Sequence, residues 1–306
     1  MTPLSVVCVL HDSAVVLPAL LRSLARHLPD AQVVAVDSGS RDGSAELARA
    51  AGAEVVRLAD NPGFGAANNA GLARARHPVT ALLNPDCELL DDGLARLAAG
   101  AAARDALWAP RLLDAAGRPE RSAHPLPGTL GAFVPALVHP PLLPRAVRLR
   151  VEPWRARRPR TVGWAVGACL VARTATLRRL GPFDPGHFLF YEDMDLCLRA
   201  RAAGVPTVLD PSVRVRHTGA HATRPAFGGE PHALLARRRR AVVAANLGPA
   251  ALARDDLAQA LTFATRRLAR SALGRSARRE AAQLGAIREA RMTHPIPAPA
   301  PRQARP

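Results

Sequence analysis

The sequence contains no lysine: all 42 basic side chains among its 306 residues are arginine, set against 25 acids. A coding bias towards GC-rich codons accounts for this, and no chemistry is read into it. Aromatic residues are scarce at 4%. Leucine, valine and alanine must therefore fill the core, and the stacking platforms of single-strand nucleic-acid binders are excluded. Four cysteines, Cys8, Cys87, Cys169 and Cys197, lie far apart with no CxxC pair. That spacing argues against structural zinc and for reduced core thiols in a cytosolic protein. Long apolar runs are missing as well. Leu4–Leu10 is interrupted at once by His11-Asp12 and lacks a basic stretch before it. No run reaches the roughly 18 residues that a membrane span requires.

What is present is an ordinary hydrophobic fraction of 48%, enough for one large α/β domain with an appendage or for two modest domains. The net charge of +17 is unevenly placed. Arg145 to Arg160 holds seven arginines and one glutamate, a net of +6; Pro231 to Met292 holds 13 arginines and four acids, a net of +9. A basic edge of this kind suits nucleic acid, anionic lipid or a diphosphate-bearing acceptor.

Short apolar runs at 4–10, 32–37, 54–58 and 79–83 have strand length, and the stretches 14–27, 44–51 and 64–76 between them read as helices. Such alternation indicates a doubly wound parallel sheet, whose ligands gather at the carboxyl ends of the strands. The polar clusters His11-Asp12, Asp37-Ser38 and Asn84-Pro85-Asp86 sit at those ends. The Pro-rich middle, 105–160, resists assignment. Residues 161–172 read as a strand pair or strand and turn, 192–203 as a helix and 213–216 as a strand. Beyond 231 the chain is helical and Arg-rich, and its proline-studded last dozen residues read as disordered.

Each polar segment has a plain structural reading beside a chemical one. Asp37-Ser38-Gly39-Ser40-Arg41-Asp42-Gly43-Ser44 is either a turn with a helix cap, or a carboxylate at a strand end offered to a base or ribose. Asn61 to Gly71 is a flexible loop with capping amides, or a ligand loop presenting Asn68 and Asn69; it lacks the spacing of a dinucleotide fingerprint. Asp86 is a cap, or an oxygen ligand for a divalent cation. Glu192, Asp193 and Asp195 are helix-dipole partners. Alternatively, the apolar Phe188–Tyr191 lead-in desolvates one of them and raises its pKa, as suits a general base. His217 is a surface imidazole or a ligand.

In order and spacing, VDSGSRDGS, NPGFGAANNAGL, NPD, GACLVARTATLRRLGPFDPGHFLFYEDMDLCLRARAAG and RHTG together resemble the family-2 glycosyltransferases of GT-A fold, rhamnosyltransferase-like branch. The resemblance spans about residues 3–223. It implies an α/β, mostly parallel GT-A sheet with a helical Arg-rich extension, and a nucleotide-diphosphate sugar as donor. Asp12, Asp37, Ser38, Asn68, Asn84 and Asp86 would contact the donor. Asp86 and His217 would hold a weakly bound Mg2+ or Mn2+, and Asp193 would act as base, with Glu192 the second candidate. Three positions depart from the family pattern: Asp12 and Ser38 stand where asparagine is usual, and Asn84 replaces the first acid of an Asp-x-Asp signature, which weakens the expected metal affinity.

The expected organisation is a catalytic domain at 1–225, with a donor half to 104 and an acceptor half from 105, then a basic helical extension at 226–292 and a tail at 293–306. The expected activity is inverting transfer of a sugar, rhamnose first, to an envelope polysaccharide or polyprenyl-diphosphate-linked acceptor. Two alternatives are a nucleotidyltransferase and a basic nucleic-acid-binding module. The first needs a Gly/Arg/Lys-rich phosphate loop that Leu10-His11-Asp12-Ser13 does not supply. The second lacks any base-reading motif. In the extension, Leu234, Leu235, Val242, Val243, Leu252, Leu257, Leu261 and Leu268 recur at helical intervals beside Arg237–Arg240, Arg266, Arg267 and Arg270. They either line a face for an anionic membrane surface or pack within the protein.

Overall fold

A computed structural model describes residues 2–181, 183–184, 188–219 and 230–293. The chain divides into two compact units, one of residues 1–124 and 152–230, the other of 125–151 and 231–306.

The first unit is built on a nine-stranded sheet. Strands β1 (Leu4–Leu10), β2 (Gln32–Ser38), β3 (Glu54–Leu58) and β4 (Val79–Leu83) alternate with helices α1 (Leu17–His27), α2 (Ser44–Ala50) and α3 (Phe64–Arg74). All seven residues of β1 are buried, as a strand covered on both faces requires. Helix α1 has proline in its first turn and buries Leu17, Leu20 and Leu24 on one stripe, with Arg26 and His27 at its carboxyl end.

Then come β5 (Cys87–Leu89), α4 (Gly93–Ala103), β6 (Leu107–Leu113), β7 (Ala123–His124), β8 (Arg160–Val162), β9 (Trp164–Ala165), β10 (Cys169–Arg173), α7 (Thr174–Arg179), α8 (Glu192–Ala202) and β11 (Thr207–His217), the helices α5 (Val134–Leu137) and α6 (Arg145–Val151) belonging to the other unit. The sheet order is β3-β2-β1-β4-β10-β6-β11-β5, with β8 on β11, and β7 pairs with β9 separately. Most registered residue pairs are parallel; β10 enters antiparallel between β4 and β6. The sequence suggests only 213–216 of β11. A register shift between Asp210 and Arg214, around Pro211, breaks the alternation that would have revealed the rest.

Helix α3 is hardly amphipathic, and small residues set its packing. A β-carbon on Gly71 would lie 2.3 Å from Val7 Cγ1 and 2.9 Å from Val36 Cγ2. Gly71→Ala is therefore expected to cost about 1–3 kcal/mol through overpacking, read as a lower urea midpoint. An unchanged midpoint would mean that α3 lifts freely from β1 and β2.

The second unit is helical. The long helix His232–Ala272 is broken at Gly248 (φ 78°), next to Pro249. Arg239 pairs with Asp255 through two 2.8 Å contacts, and Arg240 pairs with Asp256. Residues sixteen apart on a straight helix would be about 24 Å apart, so the two halves must fold back on each other at Gly248. Val242, Val243, Leu252, Arg240, Asp255 and Asp256 are buried there. These apolar residues, with Arg239 and Arg240, thus pack inside, and that part of the expected membrane face is corrected. Leu257, Leu261 and Leu268 remain exposed. The segment from 125 is clamped at Gly128, whose N–H donates to Asp255 and whose carbonyl accepts from Arg254 Nε at 2.7 Å. Helix Arg278–Thr293 completes the unit. The expected disordered tail lies, from 294 on, outside the described residues, as do residues 220–223 of the stretch bearing the resemblance. No helix among the described residues is long and apolar enough to cross a membrane.

Candidate active site

The parallel strands β3, β2, β1 and β4 bring their carboxyl ends to one edge, and the loops there are tied by hydrogen bonds. Asp12, in the left-handed region at φ 46°, accepts the Arg41 N–H at 2.8 Å and donates its own N–H to Ser40 Oγ. Asp37 is buried and accepts the Ser40 N–H at 3.0 Å, with Arg57 Nε 4.0 Å from its other oxygen. Ser38 donates to Asn61 Oδ1, which also receives the Gly63 N–H, while the Ser38 carbonyl accepts from His11 Nδ1. Asp12, Asp37 and Ser38 thus share one loop cluster, to which the structure adds His11 and Asn61.

The Asn61–Gly71 segment has a second task that its sequence does not announce. Asn68 is buried, and its amide donates to the Phe64 carbonyl of its own helix. Asn69 reaches Phe183, donating to its carbonyl at 2.7 Å and accepting its N–H at 2.8 Å. The Phe64 N–H donates to the Phe188 carbonyl. Gly63 has φ +95°, and a β-carbon there would fall 2.3 Å from the Phe188 oxygen. The segment therefore anchors the chain that leads into α8.

Beyond β4, β5 pairs antiparallel with β11 so that His217 faces Cys87 in register, and the Thr218 N–H donates to the Asp86 carbonyl. Two distant parts of the sequence meet here. His217 Nε2 lies 3.5 Å from Asp86 Oδ1, and Nδ1 lies 3.0 Å from Glu120 Oε2. Burial pushes the imidazole pKa down, but the Glu120 hydrogen bond and the charges of Asp86 and Glu120 outweigh it and raise the pKa. Glu120 went unremarked in the sequence because it stands in the Pro-rich middle, without a motif.

Among the described residues, no group of three or more His, Cys, Asp or Glu side chains is arranged to hold a metal ion. A cation that took most of its coordination from a bound ligand could take an oxygen from Asp86 and a nitrogen from His217, whose Nε2 faces Asp86 and whose Nδ1 is held by Glu120. Two residues before Asp86, the buried Asn84 Oδ1 finds no hydrogen-bond partner.

Asp193 lies in the first turn of α8, after Phe190 and Tyr191, which both take left-handed φ. Its Oδ2 accepts the Gly167 N–H at 2.8 Å and its Oδ1 the Met194 N–H at 2.7 Å. Burial raises its pKa above the ordinary carboxylate value, opposed by those hydrogen bonds. Asp195 is engaged by Arg199 at 2.7 Å, and Glu192 is buried. A β-carbon on Gly167 would come within 3.1 Å of Asp193 Cβ, so the two approach closely. The next residue, Ala168, accepts the Asn84 N–H at 2.9 Å. Adjacent residues of one turn thereby join the Asp193 carboxylate to the end of β4.

The model of glycosyl transferase family 2 matches residues 5–137. The chain is 30% identical over 218 residues to an N-acetylglucosaminyl-diphospho-decaprenol L-rhamnosyltransferase of Mycobacterium tuberculosis, covering 66% of this chain and 70% of that protein. It is 36% identical over 66 residues to the rhamnosyltransferase WbbL of Escherichia coli, covering 22% of this chain and 25% of that one. Among solved structures, a mannosyltransferase of Pyrobaculum calidifontis, in complex with GDP-Man and Mn2+, superposes with a TM-score of 0.60 at 14% identity, covering 96% of this chain and 87% of that chain. Staphylococcus aureus TarS in complex with UDP-GlcNAc gives a TM-score of 0.54 at 14% identity, covering 96% and 82%. The fold is that of the GT-A glycosyltransferases, and the protein is a glycosyltransferase. The chain belongs to glycosyl transferase family 2. This sets aside the nucleotidyltransferase and nucleic-acid-binding readings.

Proposed function

We propose that the enzyme transfers rhamnose with inversion from its nucleoside diphosphate to a polyprenyl-diphosphate-linked acceptor. The observation that carries this reading is the single turn at 167–168, which binds the Asp193 carboxylate on one residue and the end of β4, near Asp86 and His217, on the next. Asp193 takes the proton of the acceptor hydroxyl as that oxygen attacks the anomeric carbon from the face opposite the leaving nucleotide. Glu192, buried beside it, is the second candidate for base. Asp12, Asp37 and Ser38 bind the nucleoside end of the donor, with Asn68 of α3 as a further donor contact. Asn84 and Asp86 face its diphosphate. Asp86 and His217 would hold Mg2+ or Mn2+, whose chemistry there is to neutralise charge on the departing diphosphate. The rhamnosyl donor and lipid diphosphate acceptor are named for the mycobacterial relative, and they are brought to this chain as the reading under test. Purified protein incubated with deoxythymidine-diphosphate-rhamnose, UDP-hexoses and a short prenyl-diphosphate sugar should form product with the first donor. Product from a UDP-hexose alone would replace the sugar, and no product from any donor would sink the reading.

A lipid-linked acceptor requires that the enzyme work at a membrane, on the cytoplasmic face where nucleotide sugars are made. The second unit suits this, without spanning. Leu130, Leu137 and Leu142 are 79%, 78% and 78% exposed. Leu130 and Leu137 stand seven apart on consecutive helical turns, hence on one face. Arg145, Arg148 and Arg150 follow, and residues 125–151 contain no acid. Each arginine near an anionic surface contributes about 1 kcal/mol. The protein should co-sediment with phosphatidylserine vesicles at low salt and release at high salt. Replacing Leu137 and Leu142 with serine should lower the bound fraction several-fold. Equal binding to neutral vesicles, or none to either, would leave the exposed leucines as a contact between copies of the chain.

A further inference from the structure

On the first unit lies a cavity of about 350 Å³ lined by Arg111, Arg118, Arg155, Arg157 and Pro119. Four arginines around one space repel one another, and the acids present relieve only two of them. Arg118 pairs with Asp114 at 2.8 Å and Arg155 with Glu152 at 2.6 Å. Among the described residues, no acid pairs with Arg111 or Arg157. Arg111 projects from β6 in register with Arg214 of β11, a like-charge neighbour that costs stability. Its terminal nitrogen donates to the Ala156 carbonyl, yet its Nε is buried with no partner at all. Burial, and then the charges of Arg214 and Arg157, lower its pKa. A partly buried guanidinium set among like charges suits a multiply charged anion.

The segment 118–124 connects this cavity to the catalytic parts. Pro119 lines the cavity, and Glu120, the next residue, holds His217. The Ser122 carbonyl accepts the Val166 N–H, one residue before the glycine that binds Asp193. His124 stacks on Trp164 at 4.0 Å, and Trp164 meets Tyr191, just ahead of α8. We infer that this arginine cavity binds the diphosphate of the acceptor, so that the acceptor sugar lies between it and Asp193. The inference rests on the lipid-linked acceptor proposed above. The donor's diphosphate is assigned above to other residues, Asp86 and His217, neither of which lines the cavity.

The test measures direct binding, by calorimetry, of three probes: inorganic pyrophosphate, a short-chain prenyl diphosphate carrying one sugar, and deoxythymidine diphosphate. Arg157→Glu alters an exposed side chain and should fold as the parent does; Arg111→Gln probes the partly buried one. Both variants should bind pyrophosphate and the prenyl diphosphate about tenfold or more weakly. Deoxythymidine diphosphate should bind as it does to the parent, and the acceptor KM should rise while the donor KM holds. Unchanged prenyl-diphosphate affinity in Arg157→Glu would overturn the inference. So would an equal loss for deoxythymidine diphosphate, which would give the cavity to the donor. If the parent transfers no sugar while pyrophosphate binding still depends on Arg157, the proposed function fails, and the cavity remains an anion site without an acceptor.

Discussion

Replacing Asp193 with asparagine is expected to lower turnover by about two to four orders of magnitude, with nucleoside-diphosphate affinity close to the parent's. The carboxylate is the group that α8 and the Gly167 turn together aim and desolvate. Asparagine keeps the shape and can still accept the Gly167 N–H, but it cannot take a proton. Because burial raises the Asp193 pKa, the acid limb of kcat/KM should lie above the ordinary carboxylate range, with activity lost as pH falls through it. The stability effect has the opposite sense. A raised folded pKa means that the folded state holds this proton more tightly, so its ionisation costs stability as pH rises from the unfolded towards the folded pKa. The asparagine variant should lack that cost. Single-turnover rates, nucleotide titrations and melts across pH compare the two proteins. Retention of a tenth of the activity would move the base to Glu192 or elsewhere.

Chelation should stop transfer, and Asp86→Ala should both abolish the response to added Mn2+ and weaken nucleoside-diphosphate binding. Asp86 is the nearest carboxylate to His217 Nε2, and His217 is aimed by Glu120. Glu120→Gln should therefore lower metal affinity by about 10–100-fold without touching the metal itself. If Asp86 and His217 are its only protein ligands, with Asn84 in place of an acid, the ion should leave on dialysis. Manganese binding followed by electron paramagnetic resonance, beside activity, makes the comparison. Full activity in excess chelator would reject the metal and leave His217 and arginines as the diphosphate's partners.

Much of this edge of the sheet, where β1 to β4 end, was legible in the sequence. Runs of strand length at 4–10, 32–37, 54–58 and 79–83 alternate with helical stretches, and parallel strands so connected must gather their carboxyl ends on one side. Asp12, Asp37, Ser38 and Asp86 were visible for that reason. Adjacent amides were not so easily told apart. Asn68 turns inward to its own helix, and Asn69 holds Phe183, because one residue of helix is a turn of about 100°.

The local code also determined the buried thiols. Cys169 and Cys197 are pushed up to about 12 by burial and stay inert. It determined the charge surplus of the helical region as well, but not its direction. Arg239 and Arg240 look outward in a list of residues. In the structure they close on Asp255 and Asp256, because Gly248 reverses the helix.

By itself, then, the sequence determined which segments become strands and helices of the parallel half, and which carboxylates end them. These depend on hydrophobic period and on neighbours a few residues away. Only the tertiary structure decided that Glu120 meets His217 across 97 residues, that Gly167 meets Asp193 across 26, and that Arg111 joins Arg155 and Arg157 around one cavity. Strand register places His217 and Arg111, since β11 lies between β6 and β5, while turns and the start of α8 bring Glu120, Gly167 and Asp193 to their partners. That register is set by packing between segments far apart in the chain, which no local pattern records.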